Sequence, residues 1–184
     1  MVTGYSPGVV YGKFMDMIEY RKATVDDAAV LAKYRRMFLS EANQIDSHTN
    51  RIESHTNRID SESALAEMEA ANLLYFSAAL ADGSFVAWLA VDGGEIVATS
   101  GLTFSTMPPS FKVPNGKTAY IMNMYTLPSH RRQGVGTELF RRIVGEAVGA
   151  GCAKITLSAT DMGRPLYEKY GFRDSHGSMV YYVE

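Results

Sequence analysis

A chain of 184 residues, 46% hydrophobic and 21% charged, carries enough apolar material for one folded domain with a real core. Its net charge of -2 argues against a polyanionic partner such as nucleic acid. No apolar run approaches the roughly twenty residues of a membrane-spanning helix, and the single Cys152 leaves no disulfide framework and no thiolate metal cluster. Cys152 stands beside Ala153 and Ile155, where a buried, inert thiol is expected. The N-terminus lacks a charged start followed by an apolar block, so a cytoplasmic protein is expected.

In chain order, residues 1–16 are glycine-punctuated and without period, an N-terminal arm ahead of one domain at 17–184. Residues 18–22 alternate like a strand. Thr24 then caps a helix, with Asp27 at its positive end and an apolar stripe through Val25, Ala28, Leu31, Tyr34 and Phe38. A second helix is predicted over about 63–81, its apolar content at Leu65, Met68, Ala71, Leu74 and Phe76. Strands at 85–91 and 95–104 flank Asp92-Gly93-Gly94, a hairpin signal. A proline-bearing loop follows, then a strand at 119–126, a helix at 134–149 with Val135, Leu139, Ile143 and Ala147 on one face, a strand at 154–158, a short helix at 162–170 and a closing strand at 178–183. This order predicts an α+β fold, a sheet layered by helices.

One segment is duplicated: residues 47–53 recur almost verbatim as 54–60. A coiled-coil seam needs two apolar positions per heptad over several heptads, whereas Ile52 and Ile59 supply one each, so the duplication is expected to lengthen a helix or loop. His48 and His55 would lie about 10 Å apart along a helix, too far to share a metal, and no metal site is expected. The acidic Glu41, Asp46, Glu53 and Asp60 either attract a cationic amine or are simply solvated.

The chemistry concentrates between Met124 and Thr137, which reads as a strand end, a turn at Pro128, a basic glycine-containing loop and a helix start. A helix's first amides have no internal partners and its dipole favours an anion there, so this architecture suits phosphate. Gly134 and Gly136 allow close backbone approach, while Arg131 and Arg132 add positive charge. A dinucleotide fingerprint would need a glycine where Leu139 stands, and a triphosphate loop would need Gly-Lys-Ser/Thr, which is absent.

About thirty residues downstream stands Leu166-Tyr-Glu-Lys-Tyr-Gly-Phe172. The two motifs, in this order and at this spacing, resemble the GNAT superfamily of N-acetyltransferases, and the likeness extends over roughly residues 18–184. The resemblance implies a mixed, mostly antiparallel central sheet, with acetyl-CoA as co-substrate. It assigns the pyrophosphate to the loop Arg131, Arg132, Gln133, Gly134, Val135, Gly136 and Thr137. It assigns the acetyl carbonyl and pantetheine arm to backbone around Met124 and Thr126, where the strand splays from its neighbour. Tyr167 would lie by the thioester sulfur, as a general acid for the departing thiolate or as a packing aromatic.

The implied reaction is direct attack of an amine on the thioester, with both reactants held in one cleft and a backbone amide near Met124 stabilising the oxyanion. Two positions depart from the superfamily pattern. The strand at 120–126 lacks the glutamate that many relatives use as base; Asn123 and Tyr125 are candidates to position substrate or water, and Asn123 equally suits a hydrogen-bonded strand residue. Thr160 replaces a common asparagine, either contacting the cofactor or capping the next helix. The expected function is acetyl transfer to an amine of a small molecule or peptide; the alternative is a non-catalytic acyl-CoA-binding module. Acceptor choice is expected from the first two helices, the loop at 105–117 and the closing strand, where Tyr181 and Tyr182 leave a homodimer open.

Overall fold

The computed structural model describes residues 18–49 and 62–175, with side chains of the first helix described through Glu41. The arm at 1–16, most of the duplicated segment and the closing strand at 178–183 lie outside the described residues. Strand β1 (Glu19–Lys22) leads through a 3-10 turn at Val25–Asp27 into helix α1 (Ala28–Thr49), followed by α2 (Glu62–Asp82). The hairpin β2 (Phe85–Asp92) and β3 (Glu95–Thr106) precedes β4 (Lys117–Thr126), α3 (Val135–Gly149), β5 (Lys154–Leu157) and α4 (Arg164–Lys169). The strands form one sheet in sequence order, antiparallel throughout except for the parallel pair β4 and β5. β3 and β4 run further into the proline loop than the residue pattern predicts, because their ladder continues to Ser105↔Thr118 and Thr106↔Lys117.

Helices cover both faces. On one, Ala28, Leu31 and Ala32 of α1 and Phe76 and Ala79 of α2 pack on Phe85, Ala87 and Leu89 of β2. On the other, Phe140, Ile143 and Ala147 of α3 pack on Leu102, Ala119 and Ile121, while Val135 and Leu139 meet Val97 and Ala98. The α3 stripe is the one its periodicity predicts. Val25 is instead exposed, since it precedes the α-helix in the 3-10 turn. In α2 the buried line runs through Phe76 and Ala79, and Leu74 falls off it into solvent. No described helix is long and apolar enough to cross a membrane. Cys152 packs partly buried beside α3, and burial raises its thiol pKa, as befits an inert thiol.

Asp27 anchors the start of α1. Its carboxylate accepts two bonds of 2.7 Å from the Arg21 guanidinium and one of 2.8 Å from the Thr24 amide. The Arg21 hydrogen bond, foremost among the causes, lowers the carboxyl pKa. Asp27→Ala should destabilise the fold by about 2 kcal/mol, less than a fully buried pair because Arg21 is part-exposed, and lower Tm by about 4–8 °C. A carboxylate with a depressed folded pKa contributes stability above its unfolded value near about 3.9, lost as pH falls through the folded value. Melting curves of the two proteins should therefore differ at pH 7 and converge well below pH 4; a constant difference would remove the ionised pair from the account.

Candidate active site

A cleft opens because β5 is short. It pairs with β4 only from Thr118↔Lys154 to Ile121↔Leu157, so among the described residues Met122 to Thr126 have no partner on that side. The N-terminus of α3 and the start of α4 border the gap, and a cavity of about 780 Å³ occupies it, within the size range of small-ligand sites.

The route of β4 across the cleft depends on a bulge. Between the pairs Thr99↔Tyr125 and Gly101↔Met122, the two residues Asn123 and Met124 oppose the single Ser100, and Asn123 takes a left-handed φ of 57°. An extra residue in a strand reverses which face each later side chain meets. The consequence is visible along the strand: Ala119 and Ile121 face α3, whereas Asn123 and Tyr125 face α1, and Met124 packs against the cluster that includes Tyr167.

At the other end of the cleft, the residue pair Arg132 (φ 64°) and Gly134 (φ 85°) is left-handed. Such turns direct successive amides to one side. The first hydrogen bond within α3 runs from the Glu138 amide to the Gly134 carbonyl at 3.0 Å, which leaves the amides of Val135, Gly136 and Thr137 without helical partners. A β-carbon added to Gly134 would meet no protein atom within 4 Å, and the residue lines the cavity, so that space belongs to the cleft. Arg132, Gly136 and Thr137 line it as well. The side chains of Gln133 and Val135 turn elsewhere: Gln133 donates to the Ser129 carbonyl at 2.8 Å, and Val135 is buried in the α3 core. Only their backbone remains for a ligand.

Arg131 is engaged within the protein. Its Nε donates to the Thr126 carbonyl at 2.8 Å, and its terminal nitrogen donates to both oxygens of Glu41 at 3.0 and 2.8 Å. Tyr125 donates to the same carboxylate at 2.7 Å. Glu41 thus ties α1 to the end of β4 and the basic loop, which leaves Arg132 as the more open of the two arginines. Burial first, then the Glu41 carboxylate, pushes the Tyr125 phenol up to about 12, so it stays protonated and offers no base. Asn123 is buried, its amide donating to the Leu31 carbonyl at 3.3 Å and its own carbonyl accepting from Thr99 at 2.9 Å. It is a hydrogen-bonded bulge residue that also lines the cavity.

Tyr167 rises from α4 beside the rings of Phe140 and Phe172, with centroids 5.0 and 6.5 Å away. Its ring is buried, it lines the cavity, and among the described residues no group hydrogen-bonds to its hydroxyl. Burial raises its pKa, so the phenol keeps its proton. Gly163 makes room for it, since a β-carbon there would stand 2.9 Å from the hydroxyl oxygen. Thr160 caps the approach to α4: its carbonyl accepts from Gly163 and Arg164, and its hydroxyl lies 3.3 Å from the Gly163 amide. It also lines the cavity.

Sequence reasoning missed three contributors. Glu41 was legible only as an acid that either attracts a cationic amine or is solvated, and not as the partner of an arginine 90 positions away. Tyr120, which donates to Ser158 at 2.9 Å across β4 and β5, and Arg35, which reaches Asn123, carry no motif. Of the other acidic candidates, the side chains of Asp46, Glu53 and Asp60 lie outside the described residues.

Known proteins resemble this chain in sequence and fold. A structure of a predicted acetyltransferase with acetyl-CoA from Clostridium acetobutylicum is 31% identical, with a TM-score of 0.74 over 90% of this chain and 96% of that one. A GCN5-related N-acetyltransferase from Ralstonia eutropha JMP134 is 30% identical, with a TM-score of 0.76 over 91% of this chain and 99% of that one. Among curated proteins, the thialysine N-epsilon-acetyltransferase of Mus musculus is 28% identical over 79 residues, 43% of this chain and 44% of its own. The glucosamine 6-phosphate N-acetyltransferase of Trypanosoma brucei brucei is 30% identical over 80 residues, 44% of this chain and 52% of its own. The chain thus spans about half the length of the curated relatives it matches. The model of the Acetyltransferase (GNAT) family matches residues 49–172, more than half of the chain, which therefore belongs to the GNAT family of acetyltransferases.

Proposed function

We propose that this protein, as one cytoplasmic N-acetyltransferase domain, passes the acetyl group of acetyl-CoA to the amine of a small molecule. The observation that carries the reading is the convergence on one cleft of three features: free amides at the start of α3, the unpaired edge of β4, and the unpartnered Tyr167 hydroxyl. The residues present fit the coenzyme. Amides and dipole at Gly134 to Thr137 suit a pyrophosphate, with Arg132 adjacent. The exposed edge at Met122 to Thr126 suits the amide-bearing arm, save that the Thr126 carbonyl is already taken by Arg131.

In this reading the amine attacks the thioester carbonyl, an amide of β4 near Met124 stabilises the developing oxyanion, and Tyr167 donates to the departing sulfur. The amine must arrive neutral. Among the described residues, the one carboxylate lining the cleft is Glu41, which Arg131 and Tyr125 hold, and the one imidazole is His130, paired with Asp92 at 2.9 Å. Both are engaged within the protein, Glu41 by Arg131 and Tyr125, and His130 by Asp92 and, at 2.8 Å, by Ser129.

The logarithm of kcat/KM should accordingly rise with pH at a slope near one and level off at the acceptor's own pKa. Two acceptors of different basicity should shift the plateau with them; an inflection fixed near neutrality for both would reveal a protein base. The proposal itself is tested by thiol release from acetyl-CoA with a panel of amines. Tight coenzyme binding without release for any amine would favour the binding-module reading, to which the lack of a free base lends its weight.

A further inference from the structure

Arg35 carries a positive charge into the cleft, and among the described residues no carboxylate balances it. It neighbours Arg36 on α1, and the two differ sharply. Arg36 pairs with Glu62 and, at 2.9 Å, with Glu69, and these bonds raise its pKa. Arg35 turns inward beside β4, where it lines the cavity and donates to the side-chain amide oxygen Oδ1 of Asn123 at 3.4 Å. Burial lowers its pKa, outweighing the opposing influence of the Tyr120 and Tyr75 phenols. Among the described residues no carboxylate forms an ion pair with it. Glu41, the acid in the same cleft, is already engaged by Arg131 and Tyr125.

A charge drawn partly out of water without a counter-ion is unfavourable to the fold. The long bond to Asn123 does not require it, since a neutral amide donor would serve. The charge is therefore available to a ligand. A guanidinium offers a planar fork that matches carboxylate and phosphate oxygens, and its pull strengthens where water is excluded.

We propose that Arg35 binds an anionic group, a carboxylate or a phosphate ester, on the acceptor amine, so that the preferred acceptor is a small amine bearing negative charge. This rests on the acetyltransferase reading and specifies its substrate class. A diamine would instead bring a second cation beside Arg35 and be rejected by like-charge repulsion.

The test uses amines paired to differ in the anion: L-lysine against 1,5-diaminopentane, and 2-aminoethyl phosphate against ethanolamine. Thiol-release kcat/KM should favour the anionic member of at least one pair by about a hundredfold, and the pair that does so identifies carboxylate or phosphate. Arg35→Gln should collapse that ratio towards one while calorimetric coenzyme A affinity stays unchanged, and Arg35→Lys should keep an intermediate ratio. Loss of a half-buried charge with no ion-pair partner among the described residues should not lower Tm. Were the glutamine variant not to fold, a ratio in Arg35→Lys equal to wild type would itself overturn the proposal. Preference for the uncharged or dicationic member, or an unchanged ratio in folded Arg35→Gln, would do so too. If no amine is turned over, calorimetry of the same pairs into the coenzyme A complex reads the same ratio. Absence of coenzyme binding would sink the acetyltransferase reading, whereas coenzyme binding without anion preference would sink only the role of Arg35.

Discussion

Gly134→Asp is expected to weaken coenzyme A binding by about a hundred- to a thousandfold while leaving the fold in place, since like charges forced together cost several kcal/mol and each 1.4 kcal/mol is tenfold. Gly134 has a φ of 85°, and a β-carbon there meets no protein atom within 4 Å. The new carboxylate would thus enter the cleft rather than the core, in the space proposed for the pyrophosphate. The left-handed backbone costs a non-glycine residue roughly 1–2 kcal/mol, and aspartate tolerates it better than most. A negative charge at the start of α3 offsets part of this. Gly134→Ala separates the two causes: it adds the β-carbon without the charge and should lose far less affinity. Calorimetry with coenzyme A, beside melting curves, makes the measurement. Wild-type affinity in folded Gly134→Asp would place the phosphates elsewhere.

Tyr167→Phe should lower kcat by about ten- to a thousandfold with little change in the KM for acetyl-CoA, the pattern of a contact made mainly in the transition state. The ring contacts with Phe140 and Phe172 survive the substitution. Among the described residues the hydroxyl has no partner to orphan, so the melting curve should hold. Burial raises the phenol above its ordinary value near about 10, and a free thiol lies near about 8.5, so complete proton transfer to a thiolate is uphill. The hydroxyl then acts chiefly as a hydrogen-bond donor to the departing sulfur, which favours the lower end of the range. The same shift keeps it protonated throughout the usual assay range, so no tyrosine ionisation should break the profile below about pH 10. An unchanged kcat in the folded variant would reduce Tyr167 to a packing residue.

The order of strands and helices was legible because periodicity reports burial directly: α3 buries Val135, Leu139, Ile143 and Ala147 at the spacing its sequence shows. The glycine loop was legible too, since a helix start rich in glycine and arginine has few other physical uses. Local chemistry of this kind is written in neighbouring residues. What happens to a charge once the chain folds is not. Arg131 and Arg132 are adjacent and identical in type, yet Arg131 is consumed by Glu41 and the Thr126 carbonyl. Arg35 and Arg36 are likewise adjacent, and among the described residues only Arg36 finds acids.

The sequence by itself determined the class of fold and the phosphate-suited loop, because each depends on spacing within one or two elements, while only the family resemblance implied a place for Tyr167 by the cleft. Tertiary structure alone decided the rest. The bulge at Asn123 turns Asn123 and Tyr125 towards α1 and leaves Met124 with Tyr167. The short β5 leaves the end of β4 without a partner among the described residues and so opens the cleft. The packing of α1 across β4 sets which charges meet a partner and which remain for a ligand. A strand's register and an ion pair's partner are settled by residues scores of positions away, and no pattern within a single element can report them.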